Sequence, residues 1–436
     1  MRGILKSCPA GRRRCIIPPP SDESRFLAGV ADSVDRARGR RYNRVVTEHE
    51  APRIYLDHAA TTPLDPRVAE AMQPYFSEAF GNPSSQHGWG QRAEAAVEDS
   101  REKVARALGC RPEEVVFTSG GSESDNLAVR GAALAARARR GADHLLVSPI
   151  EHPAVLATAR ALAADFGFTL ELLPVDALGH VDPDDVTRRL RPTTALVSVM
   201  YASNEIGTIE PIAAIGRLCR ERGVLFHSDA VQAASQLPIE VEALQVDLLS
   251  LGAHKFYGPK GVGALYVRKG TPLTPLQTGG GQEHGLRAGT HNVPYLVGMA
   301  RALEITVRER ESHNARYRTL RERLIGGIDD LVPEVRLTGH TLERLPNHAS
   351  FALRGIKGNH LLAHLDLAGI ACSSGSACKT GDPKPSEVLL ALGLPPDWVY
   401  GSLRVTLGRQ TTQAEIDRLL QVLPGVCAKL RATDPR

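Results

Sequence analysis

From about residue 64 the chain alternates short apolar runs that end in polar residues with segments of helical periodicity, and few folds accept that pattern. "HLLVSPIEHPAV", "TALVSVMYASNEIG", "GVLFHSDAVQAAS", "DLLSLGAHKFYGPKG" and "GALYVRKG" are all of this kind. Strands apolar at nearly every position are buried on both faces, and helical connections between them build a mostly parallel sheet of the α/β class. Ligands in such sheets bind beyond the strand ends, where these runs place their polar residues. "EEVVFTSGGSESDNLAVRGAALAARA" reads as a strand, a Gly-Ser turn and a long helix, and "PRVAEAMQPYF" spaces Val68, Met72 and Tyr75 on one helical face.

The pattern changes after "PYLVGMARALEITVRERESHNARYRTLRERL", a long charged helix. Shorter strands, "EVRLTG", "HASFAL" and "SLRVTLG", then mix with helices, the last of which opens with Thr412 and Glu415 at capping-box spacing. A large domain over 53–310 and a smaller α+β domain over 311–436 are expected, with 53–63 packing on the smaller one. At 436 residues, two domains suit the length.

The net charge of +4 is uneven, because residues 1–52 hold 11 Lys and Arg against 6 Asp and Glu. The body is therefore near neutral and carries no global signal for nucleic acid. The basic head has the composition of a disordered tail. A docking arm or a cleaved organelle transit segment are alternatives, the latter opposed by Asp22, Glu23, Asp32 and Asp35. No apolar run is long enough for a membrane span. Seven cysteines without CxxC or metal-ligand spacing point to a reducing compartment, the cytoplasm, and to no resident metal. Cys219 and Cys427 have aliphatic neighbours at helical spacing and read as core. Cys372 and Cys378 lie six apart in "GIACSSGSACKTGDPKPSEVLLALG", a Gly- and Ser-rich loop before a short helix.

The strand ends carry the chemistry. Lys255 follows an apolar strand in "SLGAHKFYGPKG", and a desolvated lysine with a lowered pKa is suited to a Schiff base, although a lysine at a strand end is more often a snorkelling surface residue. Gly120, Gly121 and Ser122 open a helix whose free N–H groups favour phosphate, or form an ordinary helix cap. Asp229 ends the strand of "HSDAVQ", a carboxylate at depth that wants a cationic partner, with Gln232 close by. His152 and Asn204 end two further strands, as ligand contacts or as structural residues. A lysine, a buried carboxylate, a phosphate cradle and a histidine together match pyridoxal phosphate.

These motifs resemble the cysteine desulfurases of the class V aminotransferase group, in the long-catalytic-loop branch that supplies sulfur to iron–sulfur clusters and thio-tRNA. The resemblance runs through "YLDHAATTP", "GNPSSQHGWG", "TSGGSESDNLA", "EHPAV", "SNEIG", "SDAVQ", "AHKFYGPKG", "GGGQEHGLRAGTHN" and "SSGSAC" to "SLRVTLGR", omitting only the head. It implies a fold-type I pyridoxal-phosphate enzyme that converts L-cysteine to L-alanine and takes the sulfur on Cys378 as a persulfide. Lys255 would carry the cofactor and shuttle protons, His152 stack on its ring and act in acid–base steps, Asp229 pair with the ring nitrogen, and Gln232 and Asn204 contact the ring oxygen. Gly121, Ser122 and His254 would hold the phosphate, with Thr290 reaching in from a second subunit of a homodimer. Arg404 would clamp the substrate carboxylate, helped by Asn82. A scaffold or sulfur-acceptor protein, or a tRNA-thiolating enzyme, would receive the sulfur, and any iron–sulfur cluster would touch Cys378 only transiently. A selenocysteine lyase, or another class V enzyme, is the alternative. One position departs from the family pattern: Gly252 stands where a serine usually contributes to the phosphate site, leaving backbone N–H groups or Ser250 to compensate.

Overall fold

The computed structural model of the protein describes residues 53–374 and 385–433. Cys378, Lys379 and the basic head with Cys8 and Cys15 lie outside the described residues. The first strand, β1 (Ile54–Tyr55), pairs in parallel with β11 (Ile370–Ala371). A seven-stranded sheet follows, built from β2 (Val115–Thr118), β3 (His144–Val147), β4 (Thr169–Leu172), β5 (Thr194–Ser198), β6 (Leu225–Asp229), β7 (Leu248–Gly252) and β8 (Gly263–Val267). Their spatial order is β2-β8-β7-β6-β5-β3-β4, and every pairing is parallel except those of β8 with β2 and β7. Strands β2, β3, β5, β7 and β8 are buried along their whole length, as a sheet covered by helices on both faces requires.

Two apolar layers flank this sheet. On one side α1 (Gly88–Leu108) contributes Ala93, Val97 and Val104 to a core shared with Phe117, Phe226 and Tyr266. On the other, α2 (Gly121–Arg140) and α3 (Pro153–Phe166) contribute Leu127, Val129, Val155 and Leu162 against Leu145, Leu196 and Leu265. Alanines fill much of α2, which lets its backbone lie close to the strands.

The helix α4 (Val293–Leu331) runs unbroken for 39 residues, straight through residue 310. Its first half, with Leu296, Met299 and Leu303, packs in the core of the large sheet. Its second half, with Tyr317, Leu320, Leu324 and Ile328, belongs to a separate core under the antiparallel strands β9 (Val335–Leu337), β10 (His348–Leu353) and β12 (Ser402–Thr406). Leu56 lies in that second core, beside Ile416, Leu419 and Leu423 of α5 (Gln413–Thr433). The start of α5 is a reciprocal cap: Thr412 N donates to Glu415 Oε2 at 2.7 Å and Glu415 N to Thr412 Oγ1 at 3.3 Å. Among the described residues no helix is long and apolar enough to cross a membrane.

Candidate active site

Because β2, β3, β5, β6 and β7 point the same way, the segments that follow them converge on one edge of the sheet. A cavity of about 630 Å³ opens there, lined by Gly120, Gly121, Ser122, His152, Asn204, Asp229, Gln232, His254, Lys255 and Arg404, and also by Ala59–Thr61, Asp125 and Lys260. Nearly every strand-end residue singled out in the sequence thus reaches a single space. Asn82 and Thr290 do not line it in this chain. Both are exposed, and the Asn82 side chain accepts from Ser84 N at 3.0 Å in a local turn.

Lys255 is placed by a short turn after β7 and donates from Nζ to the carbonyls of Ala59 and, at 2.9 Å, Ala60. Gln232 Nε2 donates to the same Ala59 carbonyl at 2.9 Å. The "YLDHAATTP" loop is therefore a wall of the cavity, further held where Ala59 N donates to Thr406 Oγ1 at 2.9 Å and Thr62 Oγ1 to the His254 carbonyl at 2.9 Å. Burial, with the Arg404 charge next in size, pulls the Lys255 amine down to about 8, against the opposing carboxylates of Asp229 and Asp57. A substantial neutral fraction near physiological pH follows.

Asp229, at the end of β6, is 5% exposed, and its Oδ1 accepts from Val231 N at 2.8 Å. Burial raises its pKa, while His152 and Lys255 hold it down. His152 caps α3 by accepting from Ala154 N on Nδ1 at 3.1 Å. The ring's pKa is lowered, chiefly by burial. A neutral ring whose Nδ1 is an acceptor carries its proton on Nε2. His254 is likewise depressed, to about 4, by burial first and then by Lys255, Lys260 and His152, and its Nδ1 lies 3.1 Å from Thr61 Oγ1.

Gly120 caps α2 without any side-chain hydrogen bond, at φ +154°, a conformation essentially reserved for glycine. A Cβ there would meet nothing within 4 Å, and the first turn of this 20-residue helix, Gly121 and Ser122, lines the cavity with Gly120. Glu123, the acid in that first turn, is occupied elsewhere, accepting from Ser119 N at 2.7 Å and Arg287 Nε at 2.9 Å. Ser250, the proposed substitute for the missing serine at 252, does not line the cavity, and its hydroxyl meets His227 Nε2 at 3.0 Å in the protein interior.

Arg404, 6% exposed, is fixed by Nη2 donating to Asp57 Oδ1 at 2.8 Å and Nη1 to the Asn204 carbonyl at 2.9 Å, while its buried Nε has no partner among the described residues. The sequence reading missed Asp57, Asp125, Thr61 and Lys260. All four stand inside motifs quoted above, but their relevance depends on pairings across up to 347 residues. Cys372 follows β11, packs against the second core, and burial pushes its thiol well up, a structural environment and not a nucleophile's.

A sheet edge of this topology, with a lysine after one strand and a buried aspartate ending its neighbour, defines a class, and the family described as aminotransferase class-V matches residues 54–419: the chain belongs to that family. Within it, the chain is 46% identical over 382 residues to the cysteine desulfurase IscS of Dictyoglomus turgidum, covering 88% of this chain and 96% of that protein. It is also 46% identical over 391 residues to the cysteine desulfurase IscS of Methanosarcina thermophila, covering 90% and 95%. Among solved structures, a NifS-like protein superposes with a TM-score of 0.81 at 38% identity, covering 87% of this chain and all of the other. SspA, solved in complex with cysteine, superposes with a TM-score of 0.71 at 35% identity, covering 81% and 98%.

Proposed function

We infer that the protein is a pyridoxal-phosphate-dependent cysteine desulfurase that acts on L-cysteine as a homodimer. The observation that carries this reading is the meeting of Lys255 and Asp229 in one cavity beside an uncapped helix start. The residues fit the cofactor. Asp229 is a buried carboxyl with no Arg or Lys ion pair among the described residues, and a protonated pyridine nitrogen is the cation it lacks. The N–H groups of Gly121 and Ser122, with His254, suit a phosphate. Lys255 would hold the cofactor through Nζ, His152 would lie against its ring, and Gln232 and Asn204 would meet its polar edge. Thr290 of a second subunit would complete the phosphate contacts.

When bound, pyridoxal phosphate supplies an electron sink for bond changes at the substrate's Cα and Cβ. The rest falls to the chain's own groups. Arg404 would take the substrate carboxylate, with Asp57 and the Asn204 carbonyl holding the guanidinium in place. Lys255, with its lowered pKa, can take and return a proton at Cα near neutral pH. Cys378, as thiolate, would attack the substrate sulfur: an S–S bond forms as the Cβ–S bond breaks, and the carbon skeleton leaves as alanine after protonation. The persulfide would then pass its sulfur to an acceptor serving iron–sulfur cluster assembly or tRNA thiolation.

The test is an assay of alanine and sulfide from L-cysteine with a thiol reductant, run beside Cys378→Ser. Equimolar products from the wild type and none from the variant, with cofactor absorbance intact in both, are expected. Sulfide release retained in Cys378→Ser overturns the nucleophile assignment.

A further inference from the structure

Beneath Asp229 the sheet buries a polar ladder that the proposed chemistry does not use. Ser198 of β5, His227 of β6, Ser250 of β7 and Asp125 of α2 are each at most 1% exposed. Ser198 Oγ lies 2.9 Å from His227 Nδ1, and His227 Nε2 lies 3.0 Å from Ser250 Oγ and 3.6 Å from Asp125 Oδ1. His227 precedes Asp229 by two residues on the same strand, and Ser250 is the strand partner of Asp229, so the ladder sits directly behind the cofactor-facing carboxyl.

Asp125 is the anomaly. It is a carboxyl in the protein interior, its Oδ1 has no hydrogen-bond partner, and no Lys or Arg pairs with it among the described residues. The charged groups facing it are acids: Asp229 from β6, and Glu151 from the segment after β3. Glu151 accepts from Met200 N on Oε1, and its Oε2 has no partner among the described residues. Among the described residues the base in contact is His227, whose own pKa burial lowers to about 3, so it brings no positive charge. An ionised carboxylate with an orphan oxygen beside a second carboxylate is disfavoured twice, by desolvation and by repulsion.

We propose that Asp125 is a positioning residue that stays protonated at neutral pH, donates to Ser250, and so leaves Asp229 as the ionised member of the buried acid pair facing the cofactor. The donors then run in one direction: Asp125 hydroxyl to Ser250 Oγ, Ser250 hydroxyl to His227 Nε2, and His227 Nδ1–H to Ser198 Oγ. An ionised Asp125 reverses every donor in the ladder. Burial first and then the Asp229 charge raise the Asp125 pKa, and they outweigh the hydrogen bond with Ser250, which by itself would lower it. The proposal rests on the reading of Asp229 as the partner of a pyridine nitrogen, but the state of Asp125 is measurable without that reading.

The experiment is difference infrared spectroscopy of full-length holoenzyme at pH 7, wild type minus Asp125→Asn. Asparagine has the shape and neutrality of the protonated acid, so the fold should survive. The expected result is loss of one protonated-carboxyl C=O band in the variant; loss of a carboxylate stretching pair instead overturns the proposal. Should Asp125→Asn fail to fold, Ser250→Ala reads the same group, since the band must move when its hydroxyl partner is removed, and an unmoved band overturns the assignment. As the positioning readout, the pH titration of bound-cofactor absorbance should shift less than about twofold in acid constant in Asp125→Asn. A shift of tenfold or more means that a negative charge was removed, and the proposal fails. A protein that binds no cofactor refutes the reading of Asp229, while the infrared band still decides Asp125.

Discussion

Lys255 shows how one side chain can be read at two levels. In the sequence it is a lysine after an apolar strand, a placement more often met at a surface. In the fold it is enclosed by the Ala59–Ala60 carbonyls and the Arg404 charge, and its amine falls to about 8 from an ordinary value near 10.4. The sign of the consequence is fixed. The neutral, nucleophilic form grows as pH rises through about 8, so apoprotein should combine with pyridoxal phosphate faster across that range and level off above it. Stopped-flow absorbance from pH 6.5 to 10 measures this, and a midpoint near that of a free lysine would show the site does not depress the amine. Lys255→Ala should show no lysine-bound absorbance at any pH. For the apoprotein, the cost of burying the charged amine is present in full below pH ~8 and is relieved as pH rises from there toward ~10.4, where the unfolded lysine titrates too. Lys255, Asp229 and His152 were legible in the sequence because each ends an apolar run. Asp57 was not, since its role comes from contact with Arg404, 347 residues away, and no local pattern encodes that.

At the scale of elements, the strand ends and the helix start form one device, and Gly252 is its departure from the family pattern. Gly252 has an extended backbone, φ −135° and ψ 116°, which any residue tolerates. A Cβ there would lie 3.3 Å from Gly121 N and 3.5 Å from Val231 Cγ1, a close but workable fit against the first turn of α2. Gly252→Ser should therefore set a hydroxyl beside the proposed phosphate cradle and tighten pyridoxal phosphate by roughly 1 kcal/mol, about fivefold in Kd. Equilibrium dialysis on both proteins decides it. Weaker binding in the serine variant would mean that the contact with Gly121 N crowds the cradle and that the glycine is required. The element pattern was also where sequence reading reached its limit. The run "GALYV" is as fully buried as its parallel neighbours, yet β8 runs antiparallel between β2 and β7. A strand buried on both faces looks the same in either direction, so pairing sense cannot be read from its composition.

Over the whole molecule, the loop that carries Thr290 is tied to β2 and α1 by a buried ion pair. Glu283 and His284 hold left-handed φ angles of +48° and +57°, which cost non-glycine residues about 1 kcal/mol or more each. Glu283 offsets this by accepting from Arg101 Nη1 and Nη2 at 2.8 Å, from Phe117 N at 2.7 Å and from His291 Nε2 at 2.6 Å. Arg101 and Glu283 are 182 residues apart, so their pair, with the Phe117 N contact, joins α1, β2 and the "GGGQEHGLRAGTHN" segment. Burial alone would raise the Glu283 pKa, but Arg101, His291 and Phe117 N outweigh it and hold the carboxyl at about 2. A carboxyl depressed in the folded state stabilises the fold above its unfolded pKa, near 4.3, and that stabilisation is lost as pH falls toward 2. Glu283→Gln removes the buried carboxylate from Arg101 and leaves it the half-exposed Glu98 at 3.3 Å and the Val115 carbonyl at 2.7 Å, so the variant should lose about 3 kcal/mol at pH 7. Its Tm should also fall less steeply than the wild type's between about pH 4.5 and 2.5, because the linked proton is gone. Calorimetry of both proteins across that range separates the two contributions: a lower Tm at pH 7 with an unchanged acid slope would leave the packing of the loop, and not the charge on Glu283, as what joins Thr290 to the sheet.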